Sequence, residues 1–183
     1  DGKRKEFPLQ KNDIVYLDTK GTANLPEKLS ESQALKIVSD EGIEWKDSVK
    51  FVGVRSQTLF EIIDFKEKCD CEITITSVTD GTHATGTESH STGYKIDLRS
   101  KDKTIGEEKK LYEYIKNNFV EIKERTESDG TKSKQWKNKG GAIYALEYEG
   151  KDNEHWDVLV GSKTKNVYNF VTSKFDNERD EKV

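Results

Sequence analysis

Apolar residues along the chain fall into short periodic runs separated by polar, glycine-punctuated stretches, and the period of each run predicts an element. Over residues 72–76, Ile73 and Ile75 alternate with Glu72, Thr74 and Thr76, the clearest strand signal in the chain. Helical spacing governs three other segments, each opened by a capping-box pattern. Ser30 with Gln33 precedes Ala34, Leu35 and Val38, and Gly42 ends that turn. Thr58 with Glu61 opens a helix carrying Leu59, Ile62, Ile63 and Phe65 that stops near Cys69. Thr104 with Glu107 precedes Leu111, Tyr114, Ile115 and Phe119.

The remaining apolar runs are short and extended. Ile14-Val15-Tyr16-Leu17 suits one strand, and residues 43–54, with Trp45, Val49, Phe51 and Val52, read as strand or extended loop. Residues 119–122 and Gln135-Trp136-Lys137 flank a turn at Ser128-Asp129-Gly130-Thr131, and residues 142–148 pair with 154–160 across the polar turn 149–153. Residues 167–171 form a last strand candidate. About three helices among hairpin-connected strands predict an α+β fold, a single domain with an antiparallel sheet. The expected organisation is an arm with one strand over 1–29, the domain over 30–175, and a tail over 176–183 too charged to pack.

Composition narrows the function. At 183 residues the chain suits one domain, and its 36% charged content against 32% apolar requires a highly solvated surface. Acidic and basic residues are interspersed at a net charge of −4, so no nucleic-acid partner is expected. No apolar run approaches eighteen residues, so no membrane span is expected. The chain begins Asp1-Gly2 and has no methionine; a secreted mature protein, extracellular or in the cell envelope and free or attached to a virion or filament, is the expectation. Cys69 and Cys71 are expected as two thiols at the start of a strand, ahead of metal ligation, since a mutual disulfide across one residue is strained.

The candidate chemistry lies in two segments that hold all three histidines. Residues 76–99 carry His83, His90 and Asp97; Glu154-His155-Trp156-Asp157 carries the third. Gly93 lets the backbone turn between His90 and a strand on which Tyr94, Ile96 and Leu98 face the core, leaving Asp97 on the other side. Alternation likewise puts His155 and Asp157 on one face, so His90, Asp97, His155 and Asp157 converge if the two strands are neighbours. Imidazole and carboxylate are ordinary zinc ligands. The alternative is a surface-loop histidine beside a strand-edge aspartate. Trp136 and Trp156 are expected in the core or a cleft wall, and Gly140-Gly141 as a loop hinge.

Ser89-His90-x-x-Gly93-x-x-x-Asp97, followed some sixty residues later by Glu154-His155-Trp156-Asp157, resembles the hedgehog-fold zinc peptidases. That group contains D-alanyl-D-alanine carboxypeptidases and dipeptidases, phage endolysin peptidases and the hedgehog signalling domain. The resemblance spans residues from about 58 to 160 and implies their fold, with His90 and Asp97 as zinc ligands, Asp157 at the position of a third ligand that is histidine in the family, and Glu154 or His155 as the catalytic acid/base. From the residues themselves, His83 reads either as a loop histidine lining the cleft or as a ligand or proton-transfer group, and Trp156 as an accessory or cleft residue. The arginine that precedes the first zinc histidine in the family is missing from Val78-Thr79-Asp80-Gly81-Thr82, and Lys95 or Arg99 would have to substitute for it. A secreted zinc-dependent carboxypeptidase or endopeptidase acting on peptidoglycan-type peptides is therefore the expected function. Its competitor is a non-catalytic binding or structural module with a degenerate metal site and a protein partner.

Overall fold

The structure is a computed structural model that describes residues 5–9, 13–17, 23–24, 27–82, 86–100 and 105–164. His83, Thr104, the expected strand at 167–171 and the 176–183 tail lie outside the described residues. Near the N-terminus, where one strand was expected, Lys5–Leu9 (β1), Asp13–Leu17 (β2) and Ala23–Asn24 (β3) form a three-stranded antiparallel sheet. The additional strands are short runs without strict alternation, which pattern reading passes over.

The first helix, Glu31–Asp40 (α1), starts where the capping box places it. Ser30 Oγ accepts from the Gln33 amide at 3.2 Å, and the Gln33 side chain accepts from the Ser30 amide at 2.9 Å. The second, Ser56–Cys69 (α2), starts two residues before Thr58, and its Arg55 N-cap provides no side-chain bond. Thr58 and Glu61 are both buried and serve tertiary contacts instead of a cap. Thr58 donates to the Gly93 carbonyl at 2.8 Å; Glu61 accepts from Tyr144 Oη at 2.8 Å and Asn138 Nδ2 at 2.7 Å. Asp70, in the left-handed conformation (φ 50°), then turns the chain back so that Cys69 and Cys71 join in a disulfide, correcting the expected pair of thiols.

The main sheet combines Glu44–Trp45 (β4), Thr74–Ser77 (β5), Lys95–Arg99 (β6), Val120–Thr126 (β7), Lys132–Lys137 (β8), Ile143–Glu147 (β9) and His155–Leu159 (β10). Its order is β4-β5-β6-β10-β9-β8-β7. The expected fully antiparallel sheet is corrected at one edge: β4 runs parallel to β5, because α2 carries the chain from one to the other as a crossover. Only two residues of the 43–54 stretch form a strand. The rest is loop whose Val49, Phe51 and Val54 are buried without ladder bonds, while Val52 stays exposed. The α+β class stands, with three helices among the described residues, the third being Ile105–Asn118 (α3).

Residues opposite one another in an antiparallel pair share a face. Trp156 lies opposite Leu98 and Leu146, and Val158 opposite Ile96 and Tyr144. These six are buried and form the core with α2 and α3, where Phe65 packs 5.0 Å from Tyr144 and Tyr112 lies 6.0 Å from Trp156. The same alternation assigns Lys95, Asp97, Ala145, Glu147, His155 and Asp157 to the opposite face, away from both helices.

Gly93 holds the loop that delivers His90 to that face. Its φ is +78°, its carbonyl accepts from Arg55 N and Thr58 Oγ1, and a Cβ there would lie 2.3 Å from the Gly53 oxygen. Gly93→Ala therefore combines left-handed strain with a backbone clash. It should lower unfolding free energy by about 2 kcal/mol or more in urea denaturation.

Glu61 generates a second expectation. Burial pushes its carboxyl up to about 7 from an ordinary 4.5, against the opposing hydrogen bond from Tyr144. Between those two pH values the folded state holds a proton that the unfolded chain has released, so its stability falls as pH rises through the window. Glu61→Gln should remove that decline. The wild type should lose on the order of 3 kcal/mol more than the variant between pH 4.5 and 7.5, read from paired denaturation curves.

Candidate metal centre

The two central strands put two carboxylates face to face. Asp97 on β6 is the register partner of Asp157 on β10, and both are buried, at 7% and 3% exposure. His90 reaches them from outside the sheet. The turn from His90 to Gly93, closed by Gly93 N to His90 O at 2.8 Å and Tyr94 N to Ser89 O at 3.0 Å, folds the histidine back over β6. Its Nδ1 lies 2.8 Å from the Val78 carbonyl. A carbonyl only accepts, so Nδ1 carries a proton in either charge state, and once Nε2 is deprotonated its lone pair faces the carboxylates.

That nitrogen lies 3.2 Å from Asp97 Oδ1 and 3.8 Å from Asp157 Oδ1. Neither oxygen accepts a hydrogen bond among the described residues, although both are buried. The three ligand atoms lie within 4.8 Å of one another. A four-coordinate ion with bonds of 2.0–2.2 Å needs ligand atoms about 3.4 Å apart, and the two distances from the His90 nitrogen are compatible with that. His90, Asp97 and Asp157 can hold a metal ion. Burial pulls the His90 pKa down, but the hydrogen bond that a protonated Nε2 would donate to Asp97, the charges of Asp97 and Asp157 and the Val78 carbonyl raise it overall. A proton and a metal ion are attracted to this nitrogen by the same carboxylates.

Asp157 divides its two oxygens between different partners. Oδ2 accepts from Lys95 Nζ at 2.6 Å and from Arg125 Nη2 at 2.9 Å, while Oδ1 turns toward His90. Burial raises the carboxyl's pKa, yet the charges of Lys95 and Arg125 overcome it and hold the group at about 2, ionised at any ordinary pH. Arg125 comes from β7 and also binds Glu127 at 2.8 Å and Glu147.

His155 occupies the far side of Asp97. Its Nε2 is 3.2 Å from Glu147 Oε2 and 3.7 Å from Asp97 Oδ2, and its Nδ1 donates to the Asn153 carbonyl at 2.8 Å. Burial lowers its pKa, but the Glu147 hydrogen bond and the Asp97 charge push it up to about 9, so the ring is an imidazolium at neutral pH. In that state it donates protons and does not ligate.

Of the residues expected at the site, His90, Asp97, His155, Asp157 and Lys95 come together. Glu154 is turned elsewhere: Oε1 accepts from Ser100 Oγ at 2.9 Å and Oε2 from Gly150 N at 2.6 Å, clasping the β9–β10 turn. Trp156 faces the helices, and Arg99 lies opposite His155 in register. Sequence reading missed Glu147, Arg125 and Glu127. Alternation over 142–148 set Glu147 opposite in face to Leu146, but its approach to His155 depends on hairpin register. Nothing in the local pattern distinguishes Arg125 from the other charged residues of β7. Compared with protein-family models, curated proteins and solved structures, the chain matches none of them.

Proposed function

We propose that this chain is a zinc-dependent peptidase of the hedgehog-fold type, acting on peptidoglycan-type peptides outside the cell or in its envelope. The observation that carries the metal reading is the convergence of the His90 Nε2 with two buried carboxylate oxygens that accept no hydrogen bond among the described residues. The spacing of His90, Gly93 and Asp97, with Asp157 sixty residues later, supports the peptidase class by resemblance. The Cys69–Cys71 disulfide supports the extracellular setting, because such bonds persist in oxidising compartments. No helix among the described residues is long and apolar enough to cross a membrane.

A divalent ion bound by His90, Asp97 and Asp157 would polarise a scissile carbonyl and acidify a water. The protein's own residues supply the rest. The Val78 carbonyl fixes the His90 tautomer, as outer partners of metal-binding histidines commonly do. His155, held by Glu147, keeps a proton at Nε2 beside Asp97 and is placed to deliver it to a leaving amine. Glu154, with one oxygen on Gly150 of the β9–β10 turn and the other on Ser100 just after β6, acts as a structural clasp.

One observation favours a second reading, a binding module without hydrolysis: Lys95 and Arg125 already compensate the Asp157 charge without an ion. Metal content separates the two. After zinc is offered at neutral pH, wild type and Glu154→Gln should carry near-stoichiometric zinc by plasma mass spectrometry, and His90→Ala at least tenfold less. Zinc absent from all three samples would leave the binding module.

A further inference from the structure

A carboxylate beside a divalent ion binds through one oxygen or two, and that choice sets the coordination number and so the kind of ion preferred. Four ligands at short distance suit zinc or cobalt, whereas manganese and calcium favour more oxygens. In this chain the choice at Asp157 is made by its neighbours. Oδ2 takes two charge-assisted hydrogen bonds, from Lys95 Nζ at 2.6 Å and Arg125 Nη2 at 2.9 Å, in a site where the aspartate side chain is 3% exposed. Only Oδ1 faces His90.

Two features of the sheet bring Arg125 to this position. β7 shifts register between Ile122 and Arg125, an irregularity of the kind that re-aims a side chain. The register partner of Arg125 on β8 is Ser133, fully buried and small, so a guanidinium from the edge strand passes toward β9 and β10 to reach Glu147 and Asp157. Charge points the same way. Lys95 and Asp157 together are neutral, so His90, Asp97 and the paired Asp157 offer an ion the net charge of two neutral ligands and one carboxylate.

We propose that Lys95 and Arg125 are positioning residues that make Asp157 a one-oxygen, charge-compensated ligand and thereby fit the centre to a four-coordinate ion over an oxygen-seeking one. This rests on the metal reading above. The test loads the full chain with Co2+ and records its visible absorption, followed by displacement with Mn2+. Wild type should give the intense bands of four-coordinate cobalt. Lys95→Met should weaken them several-fold, because Oδ2 then keeps only the longer Arg125 bond and can turn to the ion, and should lower the Mn2+ concentration needed for displacement at least tenfold. Lys95→Arg, which keeps a donor, should retain the wild-type spectrum. Arg125→Gln removes the second donor to the same oxygen and should reproduce the Lys95→Met change, which keeps the test decisive where either variant folds poorly by circular dichroism. A structural role alone would lower melting temperature without changing band intensity at full occupancy. Cobalt bound in every variant with one spectrum and one Mn2+ response overturns this inference and leaves the metal reading standing. No cobalt bound by the wild type overturns both.

Discussion

Two aspartates stand directly opposite each other in the middle of a sheet, and much of the polar face is organised around the cost of keeping them there. Like charges in register destabilise a strand pair, and burial removes the water that would screen them. The groups around Asp97 and Asp157 answer that cost from every side: His90 from the loop above, His155 from the neighbouring position on β10, Lys95 from β6 and Arg125 from the sheet edge. The compensation is uneven, and its gap is chemical. Cationic donors cover Oδ2 of Asp157, while the inward oxygens of both carboxylates face a nitrogen whose own lone pair can serve an ion.

The scaffold under this cluster is ordinary and well filled. Helices α2 and α3 cover the apolar face, so β10 can turn Trp156 and Val158 into the core while turning His155 and Asp157 to the charged side. The loop that brings His90 depends on α2 as well, through the Arg55 amide and the Thr58 hydroxyl that hold the Gly93 carbonyl. A helix packed on one side of the sheet therefore positions His90 on the other.

Much of this was legible in the chain. Alternation gave β5, β9 and β10, helical spacing located α1, α2 and α3, and the one-sidedness of Asp97, His155 and Asp157 followed from strand periodicity once β6 and β10 were neighbours. The misses have physical reasons. Thr58 and Glu61 had the spacing of a cap but were recruited by distant groups, which local pattern does not report. The Cys69–Cys71 disulfide depended on a left-handed aspartate between the two sulfurs. Arg125 and Glu147 belong to the cluster only through pairings across β7, β8, β9 and β10, and long-range register has no short sequence signature.

The two-sided character of β10 reaches into how the protein acquires its structure. A slip of one residue in the β9–β10 hairpin would exchange the faces, pressing Asp157 against aromatic rings and standing Trp156 among fixed charges. Either half of that exchange is unfavourable alone, and the two are imposed together. The hairpin is thus proofread from both sides of the sheet at once, by oil on one and by charge on the other, and the chemistry of the cluster doubles as a guarantee of correct pairing.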